Sequence, residues 1–178
     1  MTLAATLTLI SESDHTLMRR VHRWHAPRWI RVWMVCATRG GDGWLWYALG
    51  LAILLLGGDQ RFAAIGAAAM AAGVGIAAFL NLKRATGRKR PCALEPHCWA
   101  TLLPPDRFSF PSGHTITAFA VAVSVSLIYP ELAAGLFFCA LSVAASRIVL
   151  GMHFLSDVVA GAAIGTALAY GAVWVCAR

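Results

Sequence analysis

Charged residues are scarce in this chain of 178 residues. Only 13% are Asp, Glu, Lys or Arg, about half the share of an ordinary soluble domain. That scarcity argues against a water-soluble globular protein and against an intrinsically disordered chain. Acidic side chains are the rarer sign, 8 against 15 Lys and Arg. They form no cluster of carboxylates of the kind that holds magnesium. Five cysteines do not make a disulfide scaffold in a chain of this length. There is no sequence repeat and no low-complexity tract. Met1–Ile10 is apolar but lacks the basic start and small-residue cleavage site of a secretory signal, so it is expected to fray or lie on a surface.

What the chain has in place of charge is apolar: 59% of its residues, with a mean hydropathy of +0.67. The expectation is an all-α integral membrane protein, a helical bundle of five spans. The net charge of +7 suits nucleic acid, anionic lipid or a phosphorylated substrate. With this apolar fraction, nucleic acid is the least fitting of the three.

The expected spans are Gly43–Gly58, Phe62–Leu82, Thr115–Tyr129, Leu132–Leu150 and Phe154–Cys176. The first and third are short against the ~20 residues a crossing needs. Trp44, Trp46 and Tyr47 suit an aromatic belt at the first. Two tight turns, Gly57–Arg61 and Tyr129–Glu131, fall on one membrane face. The N-terminal region, the long loop Lys83–Pro111 and the joint Gly151–His153 fall on the other, with nearly all the polar chemistry.

Between His15 and Arg39, Leu17, Met18, Val21 and Trp24 recur at helical spacing, with Arg19, Arg20 and Arg23 off that stripe. After Pro27 the pattern restarts with Trp29, Ile30, Trp33 and Ala37, and Arg28 and Arg31 take the polar side. Two amphipathic helices lying in the interface are expected. The alternative is a sixth span, which the insertion cost of arginine opposes. This divides the chain into an interfacial region, residues 1–40, and a membrane-embedded domain, residues 41–178.

Three clusters carry chemistry. Lys83, Arg84, Arg88, Lys89 and Arg90 place five cations in eight residues before Pro91. They suit either anionic headgroups or a phosphate clamp, since phosphate needs convergent cations. Pro111-Ser112-Gly113-His114 stands before the third span, with Ser112 as the expected N-cap. A helix start offers free amides and partial positive charge to an anion, and Gly113 lets a ligand approach the backbone. Taken alone, a histidine at the position of His114 is more often an interfacial bystander. The third cluster is Ser146-Arg147, then His153 and Asp157. The four-residue spacing predicts both on one helix face, where the carboxylate can hold one ring nitrogen and leave the other free. The competing reading is a structural pair bracing two helices. Cys92, His97 and Cys98 have poor spacing for zinc. Together the clusters supply cations, two histidines, a carboxylate and a helix N-terminus on one membrane face. That is an inventory for phosphoryl transfer without metal.

The motifs KRATGRKRP (Lys83–Pro91), PSGH (Pro111–His114) and SRIVLGMHFLSD (Ser146–Asp157) resemble the three-part signature of the type 2 phosphatidic acid phosphatase superfamily, with every fixed position and internal spacing matched. That superfamily also includes vanadium haloperoxidases, whose activity is disfavoured here because those relatives are soluble. The resemblance spans about Gly41 to Cys176. It implies that His153 attacks phosphorus and forms a phosphohistidine, with Asp157 orienting it. It implies that His114 protonates the leaving oxygen and then activates water. Lys83, Arg90, Ser112, Gly113 and Arg147 are implied to hold the phosphate oxygens, with no metal and no cofactor.

The expected substrate is a phospholipid or polyprenyl phosphate: phosphatidate, phosphatidylglycerol phosphate, or a polyprenyl phosphate or diphosphate. Lipid-to-lipid phosphotransfer and non-catalytic binding of anionic membrane lipids are the alternatives, and a homo-oligomer is left open. Two arguments divide on the site's orientation in a bacterial-type inner membrane. Thirteen of the 15 cations lie on its face, all but Arg61 and Arg178, which favours the cytoplasm. The resemblance to bacterial enzymes acting on the periplasmic leaflet favours the periplasm, as does the closeness of Cys92 to Cys98. The periplasmic face is expected. Cys36, Cys139 and Cys176 fall in apolar stretches and read as core residues.

Overall fold

The computed structural model describes residues 3–94 and 106–177, with side chains from Ile10 onward. Cys98, His97 and Arg178, and hence the Cys92–Cys98 pairing, lie outside the described residues. The described residues are almost wholly helical. They contain no strand, and an isolated bridge joins Lys89 to Phe108.

The described residues form eight α-helices in order: α1 Leu3–Arg23, α2 Arg28–Arg39, α3 Leu45–Leu56, α4 Arg61–Thr86, the short α5 Pro91–Leu94, α6 Gly113–Ile128, α7 Ala133–Val149 and α8 Leu155–Cys176. A five-residue π-type turn, Gly40–Trp44, links α2 to α3. Among the described residues, three helical stretches are long and apolar enough to cross a membrane: Gly58–Thr86, Pro130–Val149 and Leu155–Cys176. Helix α6 is apolar but has 16 residues, about 24 Å at 1.5 Å per residue, and α3 has 12. Leu51, Leu55, Leu56, Phe138, Val159 and Trp174 stand exposed on α3, α7 and α8. Water-soluble monomers rarely expose so large an apolar surface.

Helix α6 is the axis. Small and apolar residues surround it on all sides, so it can be buried on all sides. Ile116, Ala118, Ala120, Ala122 and Val125 are almost fully buried against α4, α7 and α8. Each neighbour presents a stripe at helical spacing: Ala64, Ala67, Ala71 and Gly75 on α4, Leu136, Ala140 and Val143 on α7, Gly161, Gly165, Ala169 and Ala172 on α8. A Cβ at Gly165 would stand 2.4 Å from the carbonyl oxygen of Ile116, and one at Gly161 2.8 Å from that of Ser112. Only glycine permits this approach, the small-residue logic of membrane helix packing.

The same stripes place the chemistry. Continued by two turns from Gly75, the α4 stripe reaches buried Lys83. On α7 it reaches buried Arg147 in the last turn, and on α8 it begins at buried Asp157. Helices α6 and α8 run parallel to each other, and α4 and α7 run opposite to both. The C-terminal ends of α4 and α7 therefore meet the N-terminal ends of α6 and α8. Gly87, in the left-handed region at φ 58°, caps α4 and turns the chain back across this end.

Helix α1 begins at Leu3, so the stretch expected to fray or lie on a surface is helical from there. Its inward face is Asp14, Leu17, Met18 and Val21, close to the expected stripe, while Trp24 lies beyond its end. Helix α2 is rotated relative to expectation. Ile30, Met34 and Thr38 face inward, whereas Trp29 and Trp33 are exposed, stacked with each other and onward to Phe138. Amphipathic indoles suit a surface better than a packed core. Cys36, midway between Met34 and Thr38, is consequently exposed rather than core, while Cys139 and Cys176 are half-buried.

Candidate active site

A cavity of about 650 Å³ opens among α3, α4 and α6. Its long part is apolar, walled by Trp46, Leu49, Ile53, Ile65, Ala68, Ala72, Phe79 and Val121. Its end is polar and holds Lys83, Arg90, Arg147, His114, His153, Asp42 and Asp106.

The five-cation cluster divides its labour. Lys83 and Arg90 turn into the cavity, Arg84 and Lys89 face outward, and Arg88 points elsewhere in the site. Arg90 is almost fully buried and donates to the carbonyl oxygens of Met152 and Asp106. The Asp106 carboxylate bridges Lys83 Nζ at 2.6 Å and Arg90 Nη2 at 2.9 Å. Burial pushes the Asp106 carboxyl up, but the bonds from Lys83 and Arg90 outweigh it and leave it below its ordinary value.

Arg147 donates through Nη1 to Thr38 Oγ1 of α2, which braces the guanidinium from the N-terminal region. Its Nε is buried and has no partner among the described residues. Arg147 lines the cavity, and a buried guanidinium nitrogen is costly to leave unpaired.

His153 sits at the junction of all three clusters. It precedes α8 instead of opening it, because Phe154 takes the N-cap position. The expected single helix face is therefore replaced by a capping geometry. Asp157 Oδ2 accepts from the Phe154 backbone nitrogen at 2.8 Å and lies 3.6 Å from His153 Nδ1. That last separation is longer than a hydrogen bond, and Nδ1 has no other partner among the described residues. On the opposite side, Arg90 Nη1 lies 3.1 Å from Nε2. Burial, then the Arg147 and Arg90 charges, hold the His153 imidazole well below its ordinary value.

The Pro-Ser-Gly-His turn is split. His114 lines the cavity and Gly113 reaches it, packed against Phe79. Ser112 occupies the N-cap position but makes no capping bond. Its hydroxyl is fully buried, accepts from Thr115 Oγ1 at 2.9 Å and does not line the cavity. Its backbone nitrogen donates to the Asp157 carbonyl at 3.1 Å, which ties α6 to α8 beside the site.

Sequence reasoning missed three carboxylates. Asp42, in the turn between α2 and α3, bonds His114 Nε2 through Oδ1 at 2.7 Å. Asp14 of α1 is buried. It accepts from Arg88 Nη2 at 2.7 Å, from the Ser156 backbone nitrogen at 3.0 Å and from the Ser156 hydroxyl. Arg88 Nη1 in turn reaches Asp157 Oδ1 at 2.7 Å, and its guanidinium covers the Phe154 ring. The third is Asp106. Among the described residues no group of three His, Cys, Asp or Glu side chains gathers as a metal site.

The sequence model of the PAP2 superfamily matches residues 62–178, which include all three motifs. The chain belongs to this superfamily. The lipid A 1-phosphatase of Rhizobium etli is 35% identical over 88 residues, 47% of this chain. The match covers only 38% of that relative's length. Two solved PAP2-like folds are similar throughout. Aquifex aeolicus LpxE has a TM-score of 0.73 at 24% identity, covering 89% of this chain and 93% of that one. The PAP2 type phosphatidylglycerolphosphate phosphatase from Bacillus subtilis has a TM-score of 0.71 at 21% identity, covering 92% and 84%.

Proposed function

We propose that this PAP2 protein is a metal-independent phosphatase of lipid phosphates that works through a phosphohistidine on His153. The observation that carries the reading is the cavity itself. Three cations and two histidines close one end of an apolar trough. An amphiphile with a terminal phosphate has the complementary shape and polarity.

In this reading the phosphate displaces Asp106 from Lys83 and Arg90 and takes the free Nε of Arg147. Arg90 moves from His153 Nε2 onto a phosphate oxygen, which frees that nitrogen to attack phosphorus. The P–O bond to the lipid breaks as the new N–P bond forms, and His114 protonates the leaving oxygen. Water then attacks the phosphohistidine, gives a proton back to His114 and releases inorganic phosphate. The cations hold charge as it develops on the equatorial oxygens.

Phosphatidate, phosphatidylglycerol phosphate, polyprenyl phosphates and a lipid A-type 1-phosphate are the substrates to compare. We further propose that α3 and α6 cross the bilayer with the three longer helices, making five spans in residues 41–178. Residues 1–40 lie in the interface, and the site opens to the periplasmic leaflet of a bacterial inner membrane. The test is phosphate release by purified protein against that lipid panel. Turnover of at least one member, lost in His153→Ala, supports the reading. No turnover of any member overturns it.

A further inference from the structure

The turn that carries Asp42 has no role in the chemistry described so far, yet its construction is demanding. Gly43 adopts φ 130°, a conformation that L side chains rarely take. A Cβ at Gly41 would meet Val143 Cγ1 at 2.9 Å and His114 Cδ2 at 3.4 Å. The glycines on either side of Asp42 therefore let the turn close onto α7 and the His114 ring. π-type turns of this sort recur at functional sites.

The result is a carboxylate in the wall of a cavity lined by cations. In a site for phosphate this is unfavourable by charge alone. The Arg39 guanidinium stands 3.6 Å away, with its side chain largely exposed. Its close contact is His114 Nε2 at 2.7 Å.

We propose that Asp42 is a positioning residue for the acid–base step: it holds Nε2–H of His114, so that Nδ1 is the nitrogen that exchanges protons with the leaving oxygen and with water. This rests on the phosphatase reading above. A carboxylate only accepts, so neutral His114 carries its proton on Nε2 and its lone pair on Nδ1. The imidazolium carries both protons and gives the Nδ1 proton to the leaving oxygen as the P–O bond breaks. Nδ1 then takes a proton from the attacking water. The charged groups facing this ring are Arg147 from α7, Lys83 from α4, His153 from the α7–α8 joint and Asp42 from its own turn. Burial opposes an imidazolium most, the two cations and any charge on His153 add to that, and Asp42 supports it. The two histidines thus stand in opposite senses: Asp157 faces Nδ1 of His153 and leaves Nε2 to react, whereas Asp42 holds Nε2 of His114 and leaves Nδ1.

The test compares Asp42→Asn with wild type on two substrates, the best lipid phosphate of the panel and p-nitrophenyl phosphate. A nitrophenolate leaves without protonation, while a lipid alkoxide does not. The expected result is a loss in kcat of about tenfold or more on the lipid, with KM little changed, and a loss below about threefold on the aryl ester. The alkaline limb of kcat/KM should move to lower pH by about one unit, because the supporting charge on the imidazolium is gone. Asp42→Glu should recover part of the loss. Equal losses on both substrates, or an unchanged lipid rate, overturn the proposal. Should Asp42→Asn not fold, ¹⁵N resonances of His114 in the wild-type protein decide. Protonation on Nε2 agrees with the proposal and protonation on Nδ1 overturns it. A wild-type protein that hydrolyses no lipid phosphate defeats the phosphatase reading and this one with it. An active wild type with an indifferent Asp42→Asn defeats this one alone.

Discussion

Arg90 Nη1 lies 3.1 Å from Nε2 of His153. A guanidinium can only donate, so Nε2 is the accepting nitrogen and the ring proton belongs on Nδ1, facing Asp157. One arginine thus sets the tautomer, and in the proposed mechanism it marks Nε2 as the attacking nitrogen before substrate arrives.

The first prediction concerns pH. The folded His153 pKa is depressed by burial and by the Arg147 and Arg90 charges, while the unfolded ring titrates near 6.5. Below about pH 6.5 the unfolded chain binds a proton that the folded site refuses, so stability falls as pH falls. Thermal unfolding in detergent, followed from about pH 7.5 to 5, should show a steeper loss in wild type than in His153→Asn. Equal slopes would count against a buried neutral imidazole.

A second prediction concerns the Asp14–Arg88–Asp157 chain, which links the N-terminal helix α1 to the carboxylate beside His153. Both carboxylates are buried, so Arg88→Ala leaves two charges without their partner. The expected cost is about 3–5 kcal/mol of stability. A fall in kcat of at least about tenfold should accompany it as Asp157 loses its orientation. Arg88→Lys should restore part of the stability. Melting curves and kcat for both variants check this, and a normal kcat in Arg88→Ala would disconnect α1 from catalysis.

The third prediction tests how the helices are brought together. At Gly165 a Cβ would stand 2.4 Å from a backbone oxygen of α6. Gly165→Leu should therefore prevent the α6–α8 contact and leave little monodisperse protein on size-exclusion chromatography. Gly171→Ala, where a Cβ meets nothing within 4 Å, should behave as wild type.

A fourth prediction concerns inhibition. Vanadate adopts the five-coordinate geometry of phosphoryl transfer, and Lys83, Arg90 and Arg147 line the site that would receive it. It should inhibit competitively with the lipid. EDTA should leave activity intact, because in the proposed mechanism these cations do the work that magnesium does elsewhere. Loss of activity with EDTA and recovery with magnesium would contradict the metal-independent mechanism.

The parts of the site that were legible in the sequence are those fixed by local spacing. Lys83 and Arg90 lie seven residues apart across a helix end, and Ser146-Arg147 to Asp157 crosses one short joint. Asp14, Asp42 and Asp106 were invisible for the opposite reason. Each is a lone carboxylate whose partner lies far along the chain: Asp42 is 72 residues from His114 and Asp14 is 74 from Arg88. The available clue was Gly40-Gly41-Asp42-Gly43, a run too glycine-rich for a helix interior, which marks a turn but not what it approaches. The outward phase of Trp29 and Trp33 was hidden similarly. Periodicity locates an apolar stripe, but an indole satisfies a core and an interface alike.

The most direct test of the central claim is to trap the intermediate. Purified protein mixed with its lipid phosphate and quenched within the first turnovers should carry one phosphoryl group. Peptide mass spectrometry under alkaline conditions should place it on His153, and it should be absent from His153→Ala. A quenched, turning-over enzyme that is phosphorylated at another residue, or unphosphorylated when water addition is rate-limiting, would contradict nucleophilic catalysis by His153.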